Sequence, residues 1–147
     1  MVRIYPIYFI SRNNKMESWK PFHNYLVSDY GRVMNHKGKV LKLFDDRRGY
    51  LKCNLSIGEE KQRTFKVHFL VMKCFVGDRP TDPTNNKPLT IDHIDRDKYN
   101  NRLTNLRYAT YKEQAMNRTN YHADIAEQDP QQRRRLIYQK KRNLIIQ

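Results

Sequence analysis

The residues best suited to chemistry are Asp92 and His93, which stand side by side ahead of a run of amides that includes Asn105. A carboxylate can hold a metal ion, and a neutral imidazole can take a proton from water, so the pair has the groups needed to hydrolyse a phosphodiester. The chain carries 29 Lys and Arg against 15 Asp and Glu, a formal net charge of +14. Such an excess favours a polyanion as the source of that phosphodiester.

Composition limits the class of protein. A length of 147 residues predicts one domain, or two small ones sharing a core, and a hydrophobic fraction of 38% is low but sufficient for a modest core. Two cysteines without a Cys-x-x-Cys pair exclude a zinc ribbon and argue against a disulfide framework. Residues 2–10 are apolar but too short to span a membrane. We expect a soluble intracellular protein. The positive charge by itself also fits a well-solvated basic protein that binds no polyanion.

The first half of the chain reads as short strands followed by one helix. In residues 50–57 polar and apolar side chains alternate, which predicts a strand with one buried face. Apolar residues then follow a helical period from Val67 to Phe75, and Gly77 and Pro80 end that helix. The other predicted strands are residues 25–27, 32–34, 40–44 and 64–67, separated by turns that contain Gly31, Gly38, Gly49 and Gly58.

The segment around Asp92 and His93 is predicted as strand, loop, strand and helix. Thr110 suits the N-cap of that helix, and Glu113 stands three positions later, where it can complete a capping box. The two strands are residues 89–91 and 106–110, and the helix is residues 111–118.

The end of the chain is strongly basic. Asp129 and Pro130 suit the start of a helix, and six of the ten residues 133–142 are Lys or Arg. This segment is either a helix ordered against DNA or a solvated charged tail.

Two groups of residues resemble known nuclease sequences. The segment 67–75, then Asp92-His93-Ile94-Asp95, then residues 100–107 with Thr110 and Glu113, resemble the HNH endonuclease family, and above all its phage and intron-encoded homing branch. Residues 19–22 and 25–33 are similar to the nuclease-associated modular domain that is often fused upstream of that motif. The two motifs stand in the expected order.

The resemblance implies a ββα-metal fold, in which two antiparallel strands and a helix surround one divalent cation, Mg²⁺ or Mn²⁺. Asp92 would be a metal ligand, His93 the general base, and Asn105 would fix the loop between the strands. The family has Asn or His as the second ligand, where this chain has Gln114. Gln is one methylene longer than Asn, and Mg²⁺ demands tight geometry. Asn117, one turn further along the helix, is the alternative ligand.

The predicted fold class is α+β: a small antiparallel β module, then a ββα-metal nuclease core, then a basic C-terminal helix. The predicted domains are an N-terminal arm at 1–16, a modular β domain at 17–66, an HNH nuclease domain at 67–118 and a basic tail at 119–147.

The resemblance implies a metal-dependent endonuclease, phage- or virus-encoded, that cleaves double-stranded DNA and leaves 5′-phosphate and 3′-hydroxyl ends. The alternative is a catalytically weakened DNA-binding protein on the same scaffold, because of Gln114. A basic RNA-binding or structural protein would require the Asp-His and Asn motifs to be accidental. The target site, nicking against double-strand cutting, and the oligomeric state stay open. The predicted DNA contacts are Arg32, Lys37, Lys42, Arg47, Arg48, Lys52, Arg102, Arg118, Arg133, Arg134 and Arg135.

Overall fold

The protein is represented by a computed structural model, which describes residues 7–10, 16–58 and 62–118. Within these ranges the strands pair in three antiparallel sheets. The first sheet contains β1 (Ile7–Ile10), β2 (Met16–Phe22), β3 (Tyr25–Ser28) and β4 (Val33–Asn35). The second contains β5 (Phe44–Asp45), β6 (Leu51–Leu55) and β7 (Arg63–Lys66), which leads directly into helix α1 (Val67–Phe75). The third contains β8 (Thr90–His93) and β9 (Leu106–Ala109), followed by helix α2 (Tyr111–Asn117).

The first sheet is held together by a buried ion pair. Glu17 on β2 is fully buried, and the Arg32 guanidinium from the turn before β4 binds both of its carboxylate oxygens. Arg32 also lies over the Trp19 ring, 5.5 Å from the ring centroid. A buried carboxylate is stable only when it is paired in this way. The structure therefore gives Arg32 a structural part in the module, and its predicted DNA contact stays a prediction.

The second sheet confirms one strand prediction and corrects another. In β6 the side chains of Leu51, Cys53 and Leu55 are buried and alternate with more exposed neighbours, as the sequence predicted. The predicted strand at 40–44 is wrong, because β5 begins only at its last residue and Val40 makes a single isolated bridge. Leu41 and Leu43 pack against the core from a non-strand segment, which explains the apolar run.

Helix α1 joins the two halves of the chain through one hydrophobic core. The predicted helix is confirmed, and Val67, Leu70 and Val71 are fully buried. Their cluster contains Val27 and Val33 from the first sheet as well as Ile91 and Leu106 from the third. Burial of each such side chain stabilises the fold by about 1.5–3 kcal/mol. The upstream β module and the downstream ββα unit therefore share a core.

The ββα unit has the predicted order of strand, loop, strand and helix, but Asp92 and His93 lie inside β8 and not after it. The α+β fold class is confirmed. The Thr110 hydroxyl accepts a hydrogen bond from the Glu113 backbone N–H, and the Glu113 carboxylate accepts one from the Thr110 backbone N–H. This capping box fixes where α2 begins. No helix in the described ranges is long and apolar enough to cross a bilayer. The predicted C-terminal helix, with Arg133, Arg134 and Arg135, lies outside the described residues.

Candidate active site

One cleft of about 230 Å³ brings together the predicted catalytic residues Asp92 and His93, whereas Asn105 does not line it. Strand β8 contributes Asp92 and His93, and helix α2 contributes Gln114 and Asn117. The remaining lining residues are Tyr50, Arg96, Lys98 and Arg118. The cleft thus combines one carboxylate, one imidazole and two amides with three cationic side chains.

Asp92 is buried and engaged by two neighbours. Its Oδ2 accepts hydrogen bonds from Nε and Nη2 of Arg107 at 3.1 and 3.0 Å, and from Nδ2 of Asn117 at 3.0 Å. Arg107 is the direct partner of Asp92 in the β8–β9 pairing, so both side chains stand on one face of the hairpin. The ion pair balances the charge of a carboxylate that is only 6% exposed.

The two candidate metal ligands on α2 differ in their contacts. Asn117 also donates Nδ2 to the backbone oxygen of His93 at 2.9 Å, so its amide is tied to the end of β8. Gln114 lines the same cleft, and its side chain makes no hydrogen bond to any described residue. The structure therefore brings Asn117 to the carboxylate and leaves Gln114 beside it. The assignment of Gln114 as a ligand stays a prediction.

His93 is buried, and its ring is held on several sides. Its Nε2 lies 3.0 Å from Oδ1 of Asn101. The ring of His68 meets it edge-on at 5.3 Å between centroids, and the Tyr50 ring lies 6.2 Å away. Burial lowers the pKa of His93 below its ordinary value, although the hydrogen bond to Asn101 opposes that shift. A neutral imidazole is the form that can accept a proton.

His68 packs against His93 through an edge-on ring contact. It lies on α1, and its ring also meets that of Tyr50 edge-on at 5.3 Å. Burial, together with the neighbouring His93, lowers the pKa of His68 to about 3. His68 is therefore neutral at physiological pH and packs as an aromatic side chain.

Asn105 ties the loop between β8 and β9 into one conformation. Its Oδ1 accepts the backbone N–H of Asp95 at 3.0 Å, and its Nδ2 donates to the Asp95 carboxylate and to the Asn100 backbone oxygen, both at 2.8 Å. Asn100 in turn donates Nδ2 to the Asp95 carboxylate at 2.7 Å. These contacts leave the loop little freedom behind the catalytic pair.

The donors in the cleft suit a hard divalent cation. Asp92 supplies a carboxylate, and Gln114 and Asn117 carry amide oxygens, which are ligands that Mg²⁺ accepts. In the part of the chain that the structure describes, no group of three His, Cys, Asp or Glu residues could enclose a metal ion. Mg²⁺ is commonly held by one or two carboxylates together with substrate phosphates, so a single carboxylate fits that mode.

Some of the predicted DNA contacts are exposed side chains, and others already contact a neighbouring residue of the protein. Lys52 is paired with Asp46 at 3.3 Å, and the Arg102 guanidinium lies over the Tyr30 ring at 4.6 Å. The exposed members are Lys37, Lys42, Arg47, Arg48 and Arg118, of which Arg118 lines the cleft.

Sequence reasoning missed Arg107 and the contact between Asn101 and His93. Arg107 falls opposite Asp92 only in the observed register of β8 and β9, and the strand predicted at 89–91 stopped short of Asp92. The contact of Asn101 had no sequence signal either, since its neighbouring amides suggested only a polar turn. The cleft residues Tyr50, Arg96 and Lys98 were also missed. Tyr50 lies far from the motif in the sequence, whereas Arg96 and Lys98 lie in the loop directly after His93.

Comparison with known proteins places this site in a family. A sequence model described as HNH endonuclease matches residues 65–116, and one described as the NUMOD4 motif matches residues 15–56. An uncharacterized HNH endonuclease of Acanthamoeba polyphaga mimivirus is 40% identical over 101 residues, which are 66% of this chain and 28% of the relative. The DNA endonuclease I-HmuI of Bacillus phage SP01 is 39% identical over 90 residues, which are 60% of this chain and 48% of the relative.

A solved structure concerned with DNA binding and cleavage by the HNH homing endonuclease I-HmuI is 31% identical to this chain. It has a TM-score of 0.52 and covers 78% of this chain and 59% of its own. The chain spans less than half the length of the curated relatives it matches. Residues 65–116 of this chain belong to the HNH endonuclease family, and residues 15–56 upstream of them carry the NUMOD4 motif.

Proposed function

We propose that this chain is a metal-dependent endonuclease that hydrolyses double-stranded DNA. One observation carries the proposal: Asp92 and His93 line the same cleft as three cationic side chains. The cations Arg96, Lys98 and Arg118 suit a phosphate, and a carboxylate beside an imidazole suits its hydrolysis. The I-HmuI relative, whose structure concerns DNA binding and cleavage, supports DNA as the polyanion.

The chemistry assigned to His93 is proton removal from water. Its Nε2 is engaged by Asn101, whereas Nδ1 has no hydrogen-bond partner among the described residues. Nδ1 accepts a proton from a water molecule while the water oxygen attacks phosphorus. The bond from phosphorus to the 3′ oxygen breaks, and that oxygen takes up a proton from solvent. The products carry a 5′-phosphate and a 3′-hydroxyl, and such a base contributes typically about 10²- to 10⁴-fold in rate.

Asp92, together with Gln114 or Asn117, would hold the divalent cation, Mg²⁺ or Mn²⁺. When bound there, the cation supplies positive charge to the scissile phosphate and to the leaving oxygen. Both amides line the cleft beside Asp92.

The exposed cations of the β module would bind the DNA backbone. Lys37, Lys42, Arg47 and Arg48 are all exposed in this part of the chain. Contacts of this kind neutralise phosphates and position the protein, whereas sequence preference comes from base edges.

A second candidate is a DNA-binding protein whose catalytic site is weakened. Two observations favour it: Gln114 stands where the family has Asn or His, and Arg107 already balances the charge of Asp92. This candidate predicts the same DNA affinity without cleavage.

A plasmid-nicking assay separates the two candidates. The proposed enzyme cleaves with Mg²⁺ or Mn²⁺ and stops when a chelator is added. His93→Ala should abolish cleavage and leave DNA affinity unchanged, because a general base acts in the transition state. His36→Ala, which removes an exposed histidine of the β module, is the matched control and should cleave like the wild type. Wild-type cleavage by His93→Ala would refute the mechanism, and binding without cleavage by the wild type would favour the second candidate.

A further inference from the structure

The partner of His93 is a side chain whose own orientation is fixed. Asn101 is 3% exposed, and its Nδ2 lies 3.4 Å from the backbone oxygens of both Lys98 and Tyr99. Those carbonyls can only accept hydrogen bonds, so the NH₂ end of the amide must face them. The carbonyl end, Oδ1, is left facing Nε2 of His93 at 3.0 Å.

An acceptor at this position selects one tautomer of the neutral imidazole. With the proton on Nε2, His93 donates to Oδ1 of Asn101 and presents the lone pair of Nδ1. With the proton on Nδ1, two lone pairs would face each other in a buried site. Leaving such polar atoms unsatisfied costs about 1–3 kcal/mol, which corresponds to roughly a 5- to 150-fold preference for the first tautomer.

Asn101 is in turn held by the upstream β module. A Cβ placed on Gly31, just before β4, would lie 2.9 Å from Cβ of Asn101 and 3.0 Å from its backbone oxygen. Only glycine allows this approach, and its φ of +82° is also one that other residues rarely adopt. The neighbouring Asp29 backbone oxygen accepts the N–H of Leu103 at 2.8 Å.

The contact between Gly31 and Asn101 is one of several contacts between the upstream module and the loop between β8 and β9. Arg102 lies over the Tyr30 ring at 4.6 Å, on the same turn as Gly31. The Tyr99 hydroxyl also donates to Asp45 on β5 at 2.7 Å. The loop residues on both sides of Asn101 are therefore fastened to the module.

We propose that Asn101 is a positioning residue that holds the base His93 in the tautomer with a free Nδ1, and that the Gly31 turn of the upstream module holds Asn101 in place. The module then completes the active site in addition to binding DNA. The inference rests on the proposed function for its effect on cleavage, whereas the tautomer can be measured on the protein without DNA.

The first test compares Asn101→Ala with Asn101→Asp and Asn100→Ala. Nitrogen-15 NMR of the imidazole, at a pH where the ring is neutral, reports which nitrogen carries the proton. We expect a single tautomer protonated on Nε2 in the wild type and a mixture in Asn101→Ala. Asn101→Asp keeps an oxygen acceptor opposite Nε2 and should therefore favour the same tautomer, although it gives up the donors to the Lys98 and Tyr99 carbonyls. Asn100→Ala loosens the same loop without touching His93, so its imidazole spectrum should match the wild type.

The same variants should separate in steady-state cleavage. Asn101→Ala is expected to lower kcat about 10- to 100-fold, which is the usual effect of removing a hydrogen-bond partner behind a functional histidine. The KM for DNA should not change, because no phosphate contact is lost. An unchanged imidazole spectrum in Asn101→Ala, or an equal change in Asn100→Ala, would overturn the assignment of Asn101. Absence of cleavage by the wild type with the expected spectra would overturn only the proposed function.

The second test compares Gly31→Ala with Gly38→Ala. Gly38 lies in the same module with a φ of +76°, but nothing lies within 4 Å of a Cβ built on it. Both variants therefore carry similar backbone strain, and only Gly31→Ala presses on Asn101. We expect a shifted tautomer balance in Gly31→Ala alone, and equal spectra would refute the part assigned to the module. If Gly31→Ala does not fold, Tyr30→Ala loosens the same turn, and an unaltered imidazole spectrum in that variant refutes the same point.

Discussion

Arg107 is expected to compete with the divalent cation for Asp92. In the protein alone its guanidinium donates two hydrogen bonds to Oδ2 of Asp92, at 3.1 and 3.0 Å. A cation bound to that carboxylate must share or displace this partner and also meets the repulsion of a second positive charge. Arg107→Met removes the charge and the hydrogen-bond donors while keeping an unbranched apolar stem. We therefore expect the variant to bind Mg²⁺ or Mn²⁺ more tightly in the absence of DNA.

The size of the effect follows from the contacts. Hydrogen bonds that involve a charged group are worth about 1.5–3 kcal/mol when buried. The Arg107 side chain is 46% exposed, so solvent screening places this pair at the low end of that range. A difference of about 1.4 kcal/mol corresponds to a roughly tenfold lower Kd for the cation.

Isothermal titration calorimetry with MnCl₂ measures this Kd directly. Lys37→Met is the matched control, because it removes one positive charge from an exposed position in the β module. Its Kd should stay at the wild-type value, which separates a local effect from that of net charge. An equal or weaker affinity in Arg107→Met would refute the idea that Arg107 opposes metal binding.

Three further predictions concern the ligands, the core and the DNA interface. Removing the true second ligand should weaken Mn²⁺ binding, so calorimetry on Gln114→Ala and Asn117→Ala identifies it. Wild-type affinity in both variants would mean that neither amide binds the metal. The pKa of His68 is about 3 in the folded protein against an ordinary value of 6.5, so the unfolded state binds more protons between these pH values. The unfolding free energy should then fall with falling pH by up to about 1.4 kcal/mol per unit, and His68→Leu should flatten that slope in urea titrations. If six to ten phosphates are contacted, DNA affinity should fall roughly 10³- to 10⁵-fold between about 50 and 200 mM salt, and a flat salt titration would contradict a phosphate interface.

Local features of the chain could be predicted from the sequence because each depends on neighbours in the sequence. The helical period from Val67 to Phe75 and the capping box of Thr110 and Glu113 are confirmed. The prediction of a strand at 40–44 was wrong because the structure of that segment depends on contacts with distant residues. Leu41 and Leu43 are partly buried against the core without strand pairing, whereas Val40 and Phe44 are exposed. Sequence patterns alone cannot tell such an apolar segment from a paired strand.

The resemblance to the HNH family could also be predicted from the sequence, since the Asp92-His93 pair and the downstream amides stand in the order of the HNH motif. The residue types in that motif define the candidate chemistry: one carboxylate, one imidazole and a loop rich in amides. The basic composition indicates a polyanionic substrate. None of these inferences required knowledge of the contacts between distant residues.

The contacts that orient the site were decided only by the tertiary structure. The pairing of β8 with β9 places Arg107 against Asp92, and the packing of α2 brings Asn117 to the same carboxylate. The shared core brings Gly31, 70 positions before Asn101, into contact with it. Hydrogen bonds and close approaches between such distant positions depend on strand register and helix packing. For this reason the sequence indicated which groups do the chemistry, and only the fold determined how they are held.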